Sequence, residues 1–140
     1  MIYVRNLQRK VRVNVKALES FAQRALRVCG RIGDGRFKYR DFPDGIHVLL
    51  ISDRRMTDLH RQFMNQPGPT DVITFQHGEI FISVPTARLQ ARQFRTSMMR
   101  ELQLYLVHGL LHLHGFDDRT AREIRQMRAA ESAVLRRSIV

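Results

Sequence analysis

The sequence has a single cysteine, Cys29, and only three lysines, Lys10, Lys16 and Lys38, in 140 residues. One cysteine cannot close an internal disulfide, and with no second thiol nearby it builds neither a zinc knuckle nor a redox pair. It reads as a half-buried helical residue. Long apolar runs are also missing: none approaches the roughly 20 residues that span a bilayer, which excludes a transmembrane helix. The opening stretch, MIYVRNLQRKVRVNVK, alternates apolar and polar side chains. It lacks both the apolar core of about 7–15 residues and the small-residue cleavage site of a secretory signal. We therefore expect a cytoplasmic protein with no membrane and no disulfide-linked partner. No internal repeat, low-complexity stretch or linker divides the chain, so one domain over residues 1–140 is expected, long enough to bury about 68–70% of its unfolded surface.

What is abundant is positive charge. Lys and Arg number 24 against 13 Asp and Glu, a formal net charge of +11. Nearly all of the excess is arginine, whose planar fork matches phosphate oxygens bidentately and whose face stacks on unpaired bases, so the composition suits RNA better than mere solubility. Charge names a class of partner and no chemistry.

Periodicity supplies the elements. Ile2 and Val4, then Val11, Val13 and Val15, alternate as strand material, and residues 17–28 carry a helical apolar stripe closed by Gly30, Gly33 and Gly35. Phe42-Pro43-Asp44-Gly45 is a turn before a buried strand over 46–51, after which Ser52 or Asp53 can cap a helix to about Met64. The stretch 65–70 reads as an ordered loop, because no helix or strand interior accepts its two prolines. Strands over 72–75 and 79–84 are joined by Gln76-His77-Gly78 at hairpin spacing. Helices follow from Pro85 or Thr86 to about Arg95, from about Met98 (capped by Ser97) to His114, and from about Asp118 to Arg136. These elements predict an α+β fold, a small mixed sheet of about four strands packed with about five helices.

The chemistry concentrates in His108-Gly-Leu-Leu-His112-Leu-His114-Gly115-Phe116-Asp117-Asp118. On a helix, His108 and His112 stand four apart on one face and converge on one point. Gly115 signals the helix end, where the chain can reverse and bring Asp117 or Asp118 back to that point. Zinc accepts a carboxylate oxygen as readily as an imidazole nitrogen, and three protein ligands leave a fourth position for water. His114, two residues from His112, points elsewhere on a helix. Gly109 occupies the place where a zinc protease of the H-E-x-x-H kind carries its general-base glutamate, which argues against peptidase chemistry.

HGLLHLHGFDD closely resembles the H-G-x-L-H-L-x-G-x-D-H signature of the YbeY family of metal-dependent single-strand endoribonucleases. GPTDVITF resembles that family's P-T-D-V-L-S-F segment, and HGEIFIS its G-D-I-x-I-S strand, in the same order and spacing over about residues 46–118. The resemblance implies a metal site at the end of a central helix, with one zinc ion per chain on His108, His112 and Asp118 and a metal-bound water as the attacking group. It implies cleavage of single-stranded ribosomal RNA in 16S rRNA 3′-end maturation and ribosome quality control, with the ribosome as partner. Asp117, which matches the family's own aspartate, would orient a ligand from outside the coordination sphere or substitute for Asp118.

Two departures accompany the match. Aspartate replaces the family's last histidine at 118, which lowers the positive charge of the site and, as a harder ligand, admits Mn2+ or Mg2+ more readily. The family's arginine six residues before the Thr of P-T-D falls on Met64, its asparagine on His60 and a neighbouring aspartate on Pro67. If that arginine normally stabilises phosphate in the cleft, this chain has lost it or replaced it from another element, such as Arg54 or Arg61. Arg88, Arg92 and Arg95, and likewise Arg119, Arg122 and Arg125, form stripes that could track an RNA backbone. The alternative function is a ribosome-associated RNA-binding protein with a structural or degenerate metal site. A zinc hydrolase of small substrates or peptides, a weaker third reading, would show a deep apolar pocket, no salt-dependent RNA affinity and some other carboxylate near the ion.

Overall fold

The computed structural model of the chain describes residues 1–32, 39–64 and 70–139. Strands β1 (Ile2–Asn6), β2 (Ile46–Ile51), β3 (Val72–Phe75) and β4 (Glu79–Ser83) form one sheet in the order β1-β2-β4-β3. The first three neighbours in that order run parallel, and β3 returns antiparallel along the edge of β4. Helices α1 (Val15–Cys29), α2 (Asp53–Met64), α3 (Val84–Gln93), α4 (Met98–Leu113) and α5 (Ala121–Ser138) complete the expected α+β arrangement. The loop expected at 65–70 lies, but for Thr70, outside the described residues, as do Gly33, Gly35 and Pro67.

Because successive strand residues face opposite sides, each central strand divides its apolar side chains between two layers. Val48 and Leu50 of β2 and Ile80 and Ile82 of β4 join the large core with α1, α4 and α5. On the other face, Leu49, Ile51 and Phe81 form a smaller cluster with Ile73 and with Met56 of α2. Helix α4 lies hard against the sheet. A Cβ added to Gly109 would stand 2.8 Å from Cγ2 and 2.9 Å from Cδ1 of the fully buried Ile80. The absence of a glutamate after His108 therefore has a packing cause: any side chain there would lift α4 off β4.

Several boundaries differ from the sequence expectation, each for a local reason. Val11 to Val15 is not a strand. The Gln8 side chain donates to Val11 O at 2.6 Å and accepts from Val11 N at 3.0 Å, which satisfies both backbone groups outside any ladder. Asn14 then accepts from Ala17 N and starts α1 two residues early, at Val15. Ser52 rather than Asp53 caps α2, accepting from Arg55 N, while Asp53 accepts hydrogen bonds from Ser83 and Thr86 at the start of α3. β4 ends at Ser83, whose hydroxyl caps α3, and α3 stops at Gln93 short of Arg95, which has φ 53°. The last helix begins at Ala121, not Asp118, because Thr120 and Glu123 form a capping box. Asp117 and Asp118 are thereby left in the connection between α4 and α5.

Cys29 is fully buried rather than half-buried, and burial pushes its thiol up to about 12. A thiol reagent at pH 8 should leave the native chain unlabelled and react stoichiometrically once denaturant unfolds it. Gly109→Ala gains about 1 kcal/mol of helix propensity but overpacks Ile80 at a cost of about 1–3 kcal/mol. Chemical denaturation should therefore show a net destabilisation.

Candidate metal centre

The residues of the site come from both sides of the α4 terminus. His108 and His112 project from its last turns, one helical repeat apart. The helix ends in a Schellman motif: Gly115, at φ 108°, donates to His112 O at 3.1 Å, and Phe116 N donates to Leu111 O at 2.9 Å. The chain reverses there and carries Asp118 back over the two imidazoles. Asp118 Oδ2 lies 3.4 Å from His108 Nε2 and 3.5 Å from His112 Nε2, and the two Nε2 atoms are 3.0 Å apart.

Ligand bonds of about 2.0–2.1 Å in a tetrahedral zinc site put donor atoms about 3.3–3.5 Å apart, so this triangle fits around one ion. The donor chemistry fits as well, with two imidazole nitrogens and one carboxylate oxygen whose donor atoms all lie within 4.8 Å of one another. Burial, then the neighbouring His108, lowers the pKa of His112 and favours the neutral form that a metal requires. Burial alone would also lower that of His108, but Glu131, Asp118 and Asp71 together outweigh it and raise the value.

Glu131, on α5, was not among the residues expected from sequence. Its Oε2 lies 2.7 Å from His108 Nδ1. A carboxylate only accepts, so Nδ1 carries the proton and the Nε2 lone pair is turned into the triangle. The signal was present: Glu131 falls four residues after Met127 on the buried stripe of α5 that includes Ala130 and Val134, a carboxylate in an otherwise apolar face.

Asp117 supports Asp118 rather than a histidine ring, since its Oδ1 accepts the Asp118 N–H at 2.9 Å while Oδ2 lies 3.4 Å from Arg119 Nε. His114 takes no part in the donor triangle and is stacked between Tyr39 and Phe42.

A cleft of about 640 Å³ opens in front of the triangle. Its far wall runs along β3, with Thr70, Asp71 and Gln76, and includes Met64. Asp71 is both wall and turn, because its carboxylate accepts from Val72 N and its carbonyl from Ser83 N. Of the eight arginines considered from sequence, Arg119 alone lines this cleft. Arg54 and Arg61 on α2, Arg88 and Arg92 on α3, Arg95 beyond it, and Arg122 and Arg125 on α5 are all exposed but stand outside it. Neither Arg54 nor Arg61 is among the described residues that line the cleft with Met64. Arg40, which no motif had marked, is on the cleft wall. Such charged and polar walls are not the deep apolar pocket that a small-substrate hydrolase would show.

The family model described as endoribonuclease YbeY matches residues 3–138. The chain belongs to the YbeY family. A YbeY endoribonuclease of Anaeromyxobacter sp. (strain Fw109-5) is 37% identical over 101 residues, covering 65% of this chain and 53% of that protein. That of Phocaeicola vulgatus is 36% identical over 97 residues, covering 64% of this chain and 70% of the relative. A solution structure of a Thermotoga maritima protein matches with a TM-score of 0.61 at 27% identity, over 96% of this chain and 89% of that one. YbeY membership places the chain among nucleases that hydrolyse RNA internally. Among the described residues no helix is long and apolar enough to cross a membrane.

If Glu131 sets the His108 tautomer, Glu131→Ala should weaken zinc binding about 10–100-fold, read by competition against a chromogenic chelator. Glu131→Gln, which keeps an acceptor oxygen without the charge, should fall between the two.

Proposed function

We propose that the chain is a zinc-dependent, single-strand-specific endoribonuclease, one domain over residues 1–140, that acts in the cytoplasm on ribosomal RNA at the ribosome, in 16S rRNA 3′-end maturation and ribosome quality control. The observation that carries this reading is the donor triangle of His108, His112 and Asp118 at the floor of a polar cleft whose walls include Arg40 and Arg119, in a YbeY chain.

A divalent ion held there would polarise a phosphoryl oxygen and lower the pKa of a coordinated water toward about 7. The protein's part is to hold that geometry. Glu131 fixes the His108 ring, Asp117 braces the Asp118 backbone, and the Gly115 turn sets the distance between Asp118 and the helix. The carboxylate of Asp118 leaves the centre less positive than a third imidazole would, which supports Mn2+ or Mg2+ as substitutes for zinc. Arg88, Arg92, Arg95, Arg122 and Arg125, exposed outside the cleft, would add sequence-independent phosphate contacts, so binding should weaken steeply with salt.

Met64 and Asp118 favour one second reading, a ribosome-associated RNA-binding protein whose ion is structural. Elemental analysis of the purified protein, His112→Ala and Asp118→Ala, combined with cleavage of a single-stranded RNA before and after chelation, separates the two. We expect about one zinc per chain, lost from both variants, and loss of cleavage on chelation with RNA affinity retained. Unfolding on chelation would favour the structural ion, and zinc retained by Asp118→Ala would sink the three-ligand site.

A further inference from the structure

Phosphodiester cleavage develops charge on oxygens beyond the one an ion polarises, and a preorganised cation is the usual way to stabilise it. At position 64 the cleft wall offers a methionine. Among the described residues, the arginines that line the cleft are Arg40 and Arg119. Their surroundings separate them. The Arg119 side chain is 84% exposed and its Nε lies 3.4 Å from Asp117 Oδ2, which partly neutralises its charge.

Arg40 is also exposed, but among the described residues no carboxylate forms an ion pair with it, and it is hydrogen-bonded at both its side chain and its backbone. Its Nη1 donates to Gln76 Oε1 at 3.1 Å, occupying one of five guanidinium donors and leaving a fork that suits two phosphate oxygens. Its peptide is tied to His114 in both directions. Arg40 N–H donates to the His114 carbonyl at 3.0 Å, and His114 Nδ1–H donates to the Arg40 carbonyl at 2.9 Å. The His114 ring is buried between Tyr39, 4.6 Å away at 22°, and Phe42, 4.7 Å away at 6°. His114 is also the C-cap of α4, two residues after His112. The helix that carries two of the metal donors thus holds Arg40 as well, across 74 residues of sequence.

We propose that Arg40 is the phosphate-binding cation of the cleft, and that His114 is the residue that positions it relative to the metal donors. The substrate class rests on the endoribonuclease reading given above. A histidine suits position 114 because it combines a flat ring for the Tyr39–Phe42 stack with an N–H for the Arg40 carbonyl, which Phe or Leu cannot offer together.

The test compares zinc-loaded wild type with Arg40→Ala, Arg40→Lys, Arg119→Ala and His114→Phe. Each is assayed for cleavage of a single-stranded oligoribonucleotide and for binding of an oligodeoxyribonucleotide of the same sequence, which offers the same phosphates. Arg40→Ala should lose about 10²–10³-fold in kcat with zinc content unchanged. Its binding should weaken and the salt slope should fall by about 0.7, the share of one single-strand phosphate contact. Arg40→Lys, which keeps the charge without the fork, should recover part of both. His114→Phe, which keeps the stack and removes the donor, should stay folded and zinc-loaded yet lose at least about tenfold in kcat with little change in KM. Cleavage by Arg40→Ala within about twofold of wild type, or the loss falling on Arg119→Ala instead, overturns the assignment to Arg40. A His114→Phe protein that is merely less stable, with kcat intact, overturns the positioning role. If wild type cleaves no RNA, the endoribonuclease reading fails separately; Arg40 is then judged on binding, where an unchanged salt slope in Arg40→Ala overturns it and a reduced slope sustains it.

Discussion

Helix α4 carries two of the three candidate metal donors, and it lies close against the sheet because Gly109 lets its backbone rest on Ile80 of β4. Helix and strand approach this closely only where one of them has no side chain. With α4 pressed down at that point, His108 and His112 face the cleft along β3, and the Gly115 reversal is short enough to return Asp118 to them. The same glycine occupies the position from which a protease of the H-E-x-x-H type would extend its base. The packing that seats α4 therefore also leaves no room for a side chain at that position.

The electrostatics work on two scales. Over the whole chain, +11 charges draw an RNA strand toward the surface. At the centre itself the nearest charges are acidic: Asp118 beside both imidazoles, Glu131 behind His108, and Asp71 on the facing wall. A basic surface around an acidic floor suits a polyanion that must meet a divalent cation, since the carboxylates favour the ion and the arginines offset the repulsion felt by the phosphates.

Much of the centre was legible before any fold was known. The four-residue histidine spacing, the glycine that ends the helix and the aspartate beyond it are short-range signals, and the observed turn follows the hydrogen-bond pattern such a glycine allows. Most sheet and helix positions were legible for the same reason, since strand alternation and the cap at Ser97 act within a few residues. Val11 to Val15 misled because apolar alternation does not reveal that the nearby Gln8 has already occupied the Val11 backbone. The start of α5 was misplaced because a capping box outweighs an acidic residue that merely tolerates a helix terminus.

By itself the sequence determined the family, the α+β class, the three candidate metal donors as a set and the arginine-rich composition, because each is encoded in local spacing or in composition. Only the tertiary structure decided which groups support those donors and which arginines face the cleft. Glu131 lies 23 residues from His108, and Arg40 lies 74 from His114. No periodicity spans such separations. The contacts exist because α5 packs against α4 and because the Tyr39–Phe42 segment closes over the end of α4, and both are consequences of burying apolar surface rather than of any motif.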